Sequence, residues 1–386
     1  MPIVFVHGVN NRDGNVYRET QVSRDGFLRE IIAPALGLSP DGVHLSSPYW
    51  GAKGAQFAWE MAVLPDAMAR FENFGSGEDL EAFGRVETVL ATSALAGGSP
   101  IIESAQRDFA GVVDVLYASA MAGAKTESQA RDIARSYLTA SAYAEKNPAP
   151  AWLTNTVETN FVDQLNDYAD ASKTESFGPG GILDSLKEGF SRLVNALPDV
   201  ASGVATRLAR KQLNATVTRF AGDAFTYLAR RGTKEAPGEI IKIVINALRD
   251  AVEKRTAQDD KLIIIAHSFG GEIVYDILTY FDTGLEVDCL LTVGSQVGLF
   301  EEMKLYVESK ATIPQDPPKG RVPRPPHLKR WLNVFDLNDV LSYRIEPVFA
   351  GTSDFQYDTG YSSLSAHGGY FMRPSFFRRL AVRLQE

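Results

Sequence analysis

The sequence of 386 residues contains a single cysteine, Cys289. One cysteine excludes a disulfide within the chain and any metal site built on several cysteines. Cys289 lies in the apolar run Val287–Leu291. Because a free cysteine in such a setting usually packs as a small hydrophobic residue, we expect no reactive role for it.

Long apolar runs are also missing. No stretch reaches the roughly 18 uninterrupted apolar residues that a membrane-spanning helix needs. The nearest approach, Val89–Ile102, is short and is interrupted by glycine and serine. Met1-Pro2 leads directly into Ile3–Val6, with neither the basic region nor the long apolar region of a secretory signal. The sequence therefore predicts a cytoplasmic protein, although export by a route without a signal would leave the same pattern.

An excess of positive charge is absent as well. The sequence has 39 Lys and Arg against 48 Asp and Glu, a formal net charge of −9. This balance argues against nucleic acid as a partner, because phosphate contacts need clustered positive charge. No phosphate-binding Gly-x-x-x-x-Gly-Lys loop and no His-Glu-x-x-His pair occurs. We expect neither a cofactor nor a metal ion.

Short continuous apolar runs indicate strands that are covered on both faces, as in a parallel sheet between helices. The strongest candidates are Ile3–Val6, Leu262–Ala266, Cys289–Val293 and Leu332–Phe335, with Val43–Tyr49 weaker. Helical spacing of apolar residues predicts helices over Gly26–Leu36, Ile241–Val252 and Phe377–Leu384, the last with Pro374 in its first turn. The pattern is that of an α/β fold with a mostly parallel sheet.

The region 52–234 differs from its surroundings. It is rich in alanine, serine and glycine, shows helical patterns and contains no convincing strand. We predict a core domain formed by 1–51 and 235–386, with 52–234 as a large helical insertion that caps the site.

The run Ala266-His267-Ser268-Phe269-Gly270 follows an apolar strand and precedes a helical pattern. Small residues two positions before and two positions after a serine fit the tight strand-to-helix turn called a nucleophile elbow. Such a turn exposes the hydroxyl above the sheet and brings the next N–H, that of Phe269, to a helix N-terminus, where it can stabilise an oxyanion. Ser268 is the candidate nucleophile, with Ala266 in the place of the usual glycine.

A second apolar strand ends in His7-Gly8 and runs into Val9–Arg12. With the elbow, this motif resembles the α/β-hydrolase family, especially its lipase-like and esterase-like members. The resemblance covers about Met1–Gly51 and Glu239–Glu386, and the family's usual first two edge strands are missing. It implies a second oxyanion donor at Gly8 or Val9, with Val9 favoured, and a pocket rimmed by Asn10, Asn11 and Arg12. His7 is expected to shape the loop.

The resemblance also implies a base and an acid after the nucleophile in the chain. His367, in a loop before the last helix, fits the family's order as the general base. Asp339, followed by Val340, is the favoured acid after a late strand, and Asp336 is the second candidate.

These features predict a serine hydrolase that cleaves carboxylic esters through an acyl-enzyme. Lipid or long-chain acyl esters are the leading substrate class, with transient contact to a membrane surface, and small-molecule esters remain open. The alternative is a catalytically silent binding or signalling module whose helical insertion recruits a partner.

Overall fold

A computed structural model describes residues 2–12, 14–64, 102, 105–106, 108–170, 181–196, 203–256, 259–317, 319–361 and 363–386. Its central sheet has six strands in the order β2-β1-β3-β4-β6-β8, all parallel to their neighbours. Two further short strands, β5 and β7, form a separate parallel pair. The strands are β1 Pro2–Val6, β2 His44–Ser46, β3 Ile263–His267, β4 Val287–Val293, β5 Val322–Pro323, β6 Leu328–Phe335, β7 Phe349–Ala350 and β8 Ser353–Gln356.

Helices connect most of these parallel strands, whereas the link from β6 to β8 consists of turns and the short strand β7. They are α1 Asn15–Phe27, α2 Ala33–Ala35, α3 Phe109–Met121, α4 Glu127–Lys146, α5 Phe161–Asp170, α6 Gly181–Ala196, α7 Gly203–Arg230, α8 Glu239–Glu253, α9 Gly270–Asp276, α10 Val297–Glu302, α11 Ser363–Gly369 and α12 Pro374–Gln385. Two π-helical turns, Leu28–Ile32 and Ile277–Phe281, extend α1 and α9.

The α/β class and the parallel sheet predicted from the sequence are confirmed. Each predicted apolar run coincides with or overlaps a strand, because the runs supply side chains for both covered faces of the sheet. Val4 and Ile264 of the inner strands are fully buried. Helix α8 buries Ile241, Val244 and Leu248, the residues whose spacing predicted it. Residues 89–101 of the apolar stretch Val89–Ile102 lie outside the described residues.

The chain divides into two compact units. The first comprises Met1–Asp13, Gly42–Phe74 and Arg207–His367, and the second Gly14–Asp41, Gly75–Thr206 and Gly368–Glu386. All eight strands belong to the first unit. The division assigns parts of the predicted insertion, 52–74 and 207–234, to this first unit. That the insertion caps the site stays a prediction.

The second unit is helical in its described parts. Helix α4 begins with a reciprocal cap, in which the Gln129 N–H donates to the Thr126 hydroxyl and the Lys125 N–H donates to the Gln129 side chain. Glu30 is buried and forms ion pairs with Arg131 and Arg135 of α4. Among the described residues of the whole chain, no helix is long and apolar enough to cross a membrane.

Candidate active site

Ser268 occupies a strained backbone position between β3 and α9. Its φ is +52°, in the left-handed region that side chains rarely adopt. Its N–H donates to the Val293 carbonyl of β4 at 2.9 Å, which fixes the turn against the sheet. A Cβ on Gly270 would lie 2.3 Å from the Val6 carbonyl oxygen, so only glycine fits there. The spacing of small residues that predicted an elbow therefore corresponds to a close contact between the turn and β1.

The register of the sheet brings the two sequence motifs together. Val6 of β1 is paired with Ala266 of β3, so the residues that follow each strand leave the same edge side by side. A Cβ on Gly8 would lie 2.5 Å from the Ser268 Cβ and 2.9 Å from its Oγ. The chain after β1 thus passes directly over the serine hydroxyl, which places backbone groups of this loop near Ser268.

Three side chains from separate segments form one hydrogen-bonded chain. The His367 Nε2 lies 2.8 Å from the Ser268 Oγ. The His367 Nδ1 lies 2.9 Å from one carboxylate oxygen of Asp339 and 3.1 Å from the other. Because an ionised carboxylate only accepts, Nδ1 carries the proton and Nε2 is left to accept from the serine hydroxyl. The arrangement can draw the proton from Ser268 as its oxygen forms a bond.

The loop after β6 holds Asp339 and Asp336 in different settings. Asp339 has no exposed side-chain surface and also accepts from the Leu341 N–H at 2.9 Å. Asp336 accepts instead from the Asn338 N–H and from the backbone and hydroxyl of Thr359. The two candidate acids therefore occupy different positions: Asp339 contacts the histidine, and Asp336 ties its own loop to the segment after β8.

His267 supports the histidine segment, a contact that the sequence did not indicate. Its Nε2 lies 2.8 Å from the His367 carbonyl oxygen. Since a carbonyl only accepts, His267 donates this hydrogen bond. The residue before the serine thereby holds the backbone of the residue whose ring contacts the serine.

The loop after β1 contains the candidate oxyanion donors, which differ in their contacts. The Asn10 N–H donates to the Asp223 carboxylate at 2.8 Å, so it is not free for a ligand. Within the described residues, no acceptor takes the N–H of Val9 or of Phe269. Asn11 donates its side-chain amide to the carbonyls of Gly8 and Val9. These bonds fix the course of the loop and leave the Val9 N–H available.

His7 lies beneath this loop and is 2% exposed. Its ring stacks on Trp50 with centroids 4.8 Å apart, and the Trp50 N–H donates to the His7 Nε2. The Trp50 indole N–H donates to the His7 carbonyl at 2.8 Å. With both of these groups engaged, His7 is held as part of the scaffold, consistent with the expected loop-shaping role.

A buried acid, which the sequence analysis did not single out, lies one helical turn after the serine. Glu272 of α9 has no exposed surface, and burial raises the pKa of its carboxyl to about 8. The Ser295 hydroxyl lies 3.4 Å from one of its oxygens, and the other oxygen has no hydrogen-bond partner among the described residues. Glu272 is therefore protonated at neutral pH.

No group of three or more His, Cys, Asp or Glu side chains suited to a metal ion occurs in the part of the chain that the structure describes.

Cys289 is buried, and burial raises the pKa of its thiol to about 11. The thiol is thus kept protonated at neutral pH, away from the thiolate form that reacts.

No family model matches the sequence. A stretch of 94 residues is 30% identical to part of a probable mitochondrial phospholipase of Saccharomyces cerevisiae. The match covers 23% of this chain and 13% of the yeast protein. The chain therefore corresponds to a small part of that relative. The parallel sheet itself establishes an α/β fold.

Proposed function

We propose that the protein is a serine hydrolase that cleaves carboxylic esters, with Ser268 as nucleophile, His367 as general base and Asp339 as the orienting acid. The observation that carries the proposal is the continuous hydrogen-bonded chain from the Ser268 hydroxyl through the His367 ring to the buried Asp339 carboxylate. Its distances lie within the range that proton transfer between a nucleophile and its base requires.

The reaction follows from these contacts. The Ser268 Oγ attacks the ester carbonyl carbon while His367 Nε2 takes the hydroxyl proton, and Asp339 stabilises the charged imidazole. The N–H groups of Val9 and Phe269 hold the oxyanion, a contribution of about 10²–10³ in turnover for one donor. His367 then gives the proton to the leaving alcohol. A water molecule, deprotonated by His367, releases the acid from Ser268.

Lipid or long-chain acyl esters are the proposed substrate class. Two aliphatic side chains next to the acid, Leu337 and Val340, are 73% and 61% exposed. Exposed apolar side chains in the loop that carries the proposed acid would favour an apolar ligand or a lipid surface if they form one patch. The local similarity to a probable phospholipase supports the same class.

A fluorophosphonate probe tests the nucleophile. We expect the wild-type protein to label at one serine and Ser268→Ala to remain unlabelled, because the probe needs an activated hydroxyl. Ser295→Ala is the matched control, since Ser295 follows the neighbouring strand and its hydroxyl contacts Glu272. Wild-type protein that does not label would favour the silent binding module instead.

A series of p-nitrophenyl esters, followed by phospholipid vesicles, tests the substrate class. We expect kcat/KM to rise with acyl length from acetate to medium chains, because each buried methylene contributes about 0.8 kcal/mol. A sharp preference for acetate would contradict the lipid assignment without affecting the role of Ser268.

A further inference from the structure

Asp223 of α7 is a buried carboxylate outside the Ser268–His367–Asp339 chain. It has no exposed surface and lies far in sequence from the loop that it contacts. One oxygen accepts from the Asn10 N–H at 2.8 Å and from Arg12 at 3.0 Å. The other accepts from Arg12 at 2.7 Å and from the Ala55 N–H at 2.7 Å. Four donors thus converge on one carboxylate.

These bonds hold a strained segment in place. Asn10 has a φ of +62°, in the left-handed region. A non-glycine residue in such a sparsely populated region is held there by the contacts that surround it. The hydrogen bond from the Asn10 N–H to Asp223 is such a contact. Asn10 directly follows Val9, the proposed oxyanion donor. The position of the Val9 peptide therefore depends on Asp223.

A second segment of the chain, around Gly54, also packs closely against the Asp223 carboxylate. A Cβ on Gly54 would lie 2.3 Å from an Asp223 oxygen, so the chain after Trp50 approaches it as closely as glycine allows. The Arg12 guanidinium forms a bidentate pair with Asp223, the geometry in which arginine fixes both distance and orientation. Little room is left for the loop to shift while this pair is intact.

We propose that Asp223, paired with Arg12, is a positioning residue that sets the Val9–Asn10 backbone over Ser268 and so aligns one half of the oxyanion site. The proposal rests on the proposed function. Helix α7, which belongs to the predicted insertion, would then help to position the oxyanion loop.

Asp223→Asn tests the proposal with the smallest change of shape. An amide turns an NH₂ toward two of the four donors in either orientation, so the loop must move. We expect kcat per active site, titrated with the fluorophosphonate, to fall by about tenfold or more, up to the ~10²–10³ that the loss of one oxyanion donor costs. KM is expected to stay within about threefold, and affinity for a boronic acid, whose adduct has a tetrahedral oxyanion, to fall in parallel with kcat.

Asp276→Asn is the matched control. Asp276 of α9 is equally buried and pairs with Tyr227 of α7 and with Arg231, the residue after α7. Its replacement is expected to lower the fraction of titratable sites or the Tm while leaving kcat per titrated site unchanged. Arg12→Lys, which keeps the charge but loses the bidentate geometry, is expected to lie between wild type and Asp223→Asn.

The outcomes separate the two proposals. An Asp223→Asn variant with wild-type kcat per titrated site, even if fewer sites remain, would overturn the positioning role and leave the hydrolase assignment intact. A wild-type protein that neither labels nor turns over esters would overturn the hydrolase assignment itself.

Discussion

Asp339 and Asp336 are close in sequence and similarly buried, and their hydrogen bonds distinguish them. The Asp339 carboxylate faces the His367 Nδ1, whereas the Asp336 carboxylate faces Thr359. The sequence could not rank them on physical grounds, because both follow the same strand. The difference arises from the direction in which each side chain leaves a tight loop.

Replacing each acid by asparagine tests this distinction. We expect Asp339→Asn to lower kcat by about 10³–10⁴, because an amide NH₂ beside Nδ1 favours the tautomer that cannot accept from Ser268. Asp336→Asn is expected to retain kcat per labelled site and to lower the Tm, since its amide NH₂ must face either the Asn338 N–H or the Thr359 donors. Steady-state kinetics with probe titration gives both values, and the reverse pattern would make Asp336 the acid.

Glu272 gives a prediction about pH and stability. Burial raises its pKa to about 8 in the folded protein, against 4.5 for the ordinary carboxyl. Between these values the folded state holds a proton that the unfolded state has lost. The free energy of unfolding therefore falls as pH rises through this window, by about 1.4 kcal/mol per pH unit from this group, and levels off above pH 8.

Glu272→Gln removes this titration while keeping the shape. We expect the stability of the variant relative to wild type to increase from pH 5 to pH 8, measured by urea unfolding at matched ionic strength. A difference that stays constant across this range would mean that Glu272 is not protonated in the folded protein.

At the scale of elements, the parallel pairing of β1 with β3 creates the close approach of Gly8 to Ser268. Gly8→Ala adds a methyl group that would lie 2.5 Å from the Ser268 Cβ, so one of the two turns must move. We expect a loss of at least about a hundredfold in kcat/KM, comparable to removing an oxyanion donor.

Gly284→Ala is the control for Gly8→Ala, since a Cβ there meets nothing within 4 Å. It is expected to keep wild-type activity. Probe labelling of Gly8→Ala at the wild-type rate would show that the loop does not lie against Ser268 as described.

The sequence was sufficient to predict the inner strands and helix α8, but not the hydrogen bonds that support the site. The apolar runs of β1, β3, β4 and β6 and the spacing of α8 are local signals, so they are visible in one segment at a time. Strand β8 was missed because Ser353–Gln356 is short and only partly buried at the sheet edge. Asp223 was missed because a carboxylate on a helix usually faces solvent, and only the fold brings Arg12 and Asn10 to it.

At the scale of the whole molecule, the net charge of −9 sets how the protein meets a charged surface. Like charges repel at long range and are screened within about 10 Å at 0.1 M salt. We expect turnover on zwitterionic phospholipid vesicles to fall when anionic lipid is added at low salt, and added salt to restore it.

Turnover is measured on vesicles of matched size with and without anionic lipid. A chromogenic ester in solution, assayed under the same conditions, is the control. Activity that rises with anionic lipid would instead reveal a local basic surface that outweighs the net charge.

The two strands that flank β1 in the sheet are far apart along the chain. Strand β2 follows within the first 46 residues, whereas β3 begins at Ile263. As the polypeptide leaves the ribosome, the inner edge of β1 has no partner until β3, which ends at His267, has been made. An unpaired apolar edge invites pairing with other chains. Premature termination before β3 is therefore expected to yield a fragment prone to aggregation, and Ser268 can reach its place beside Gly8 only after β3 has joined the sheet.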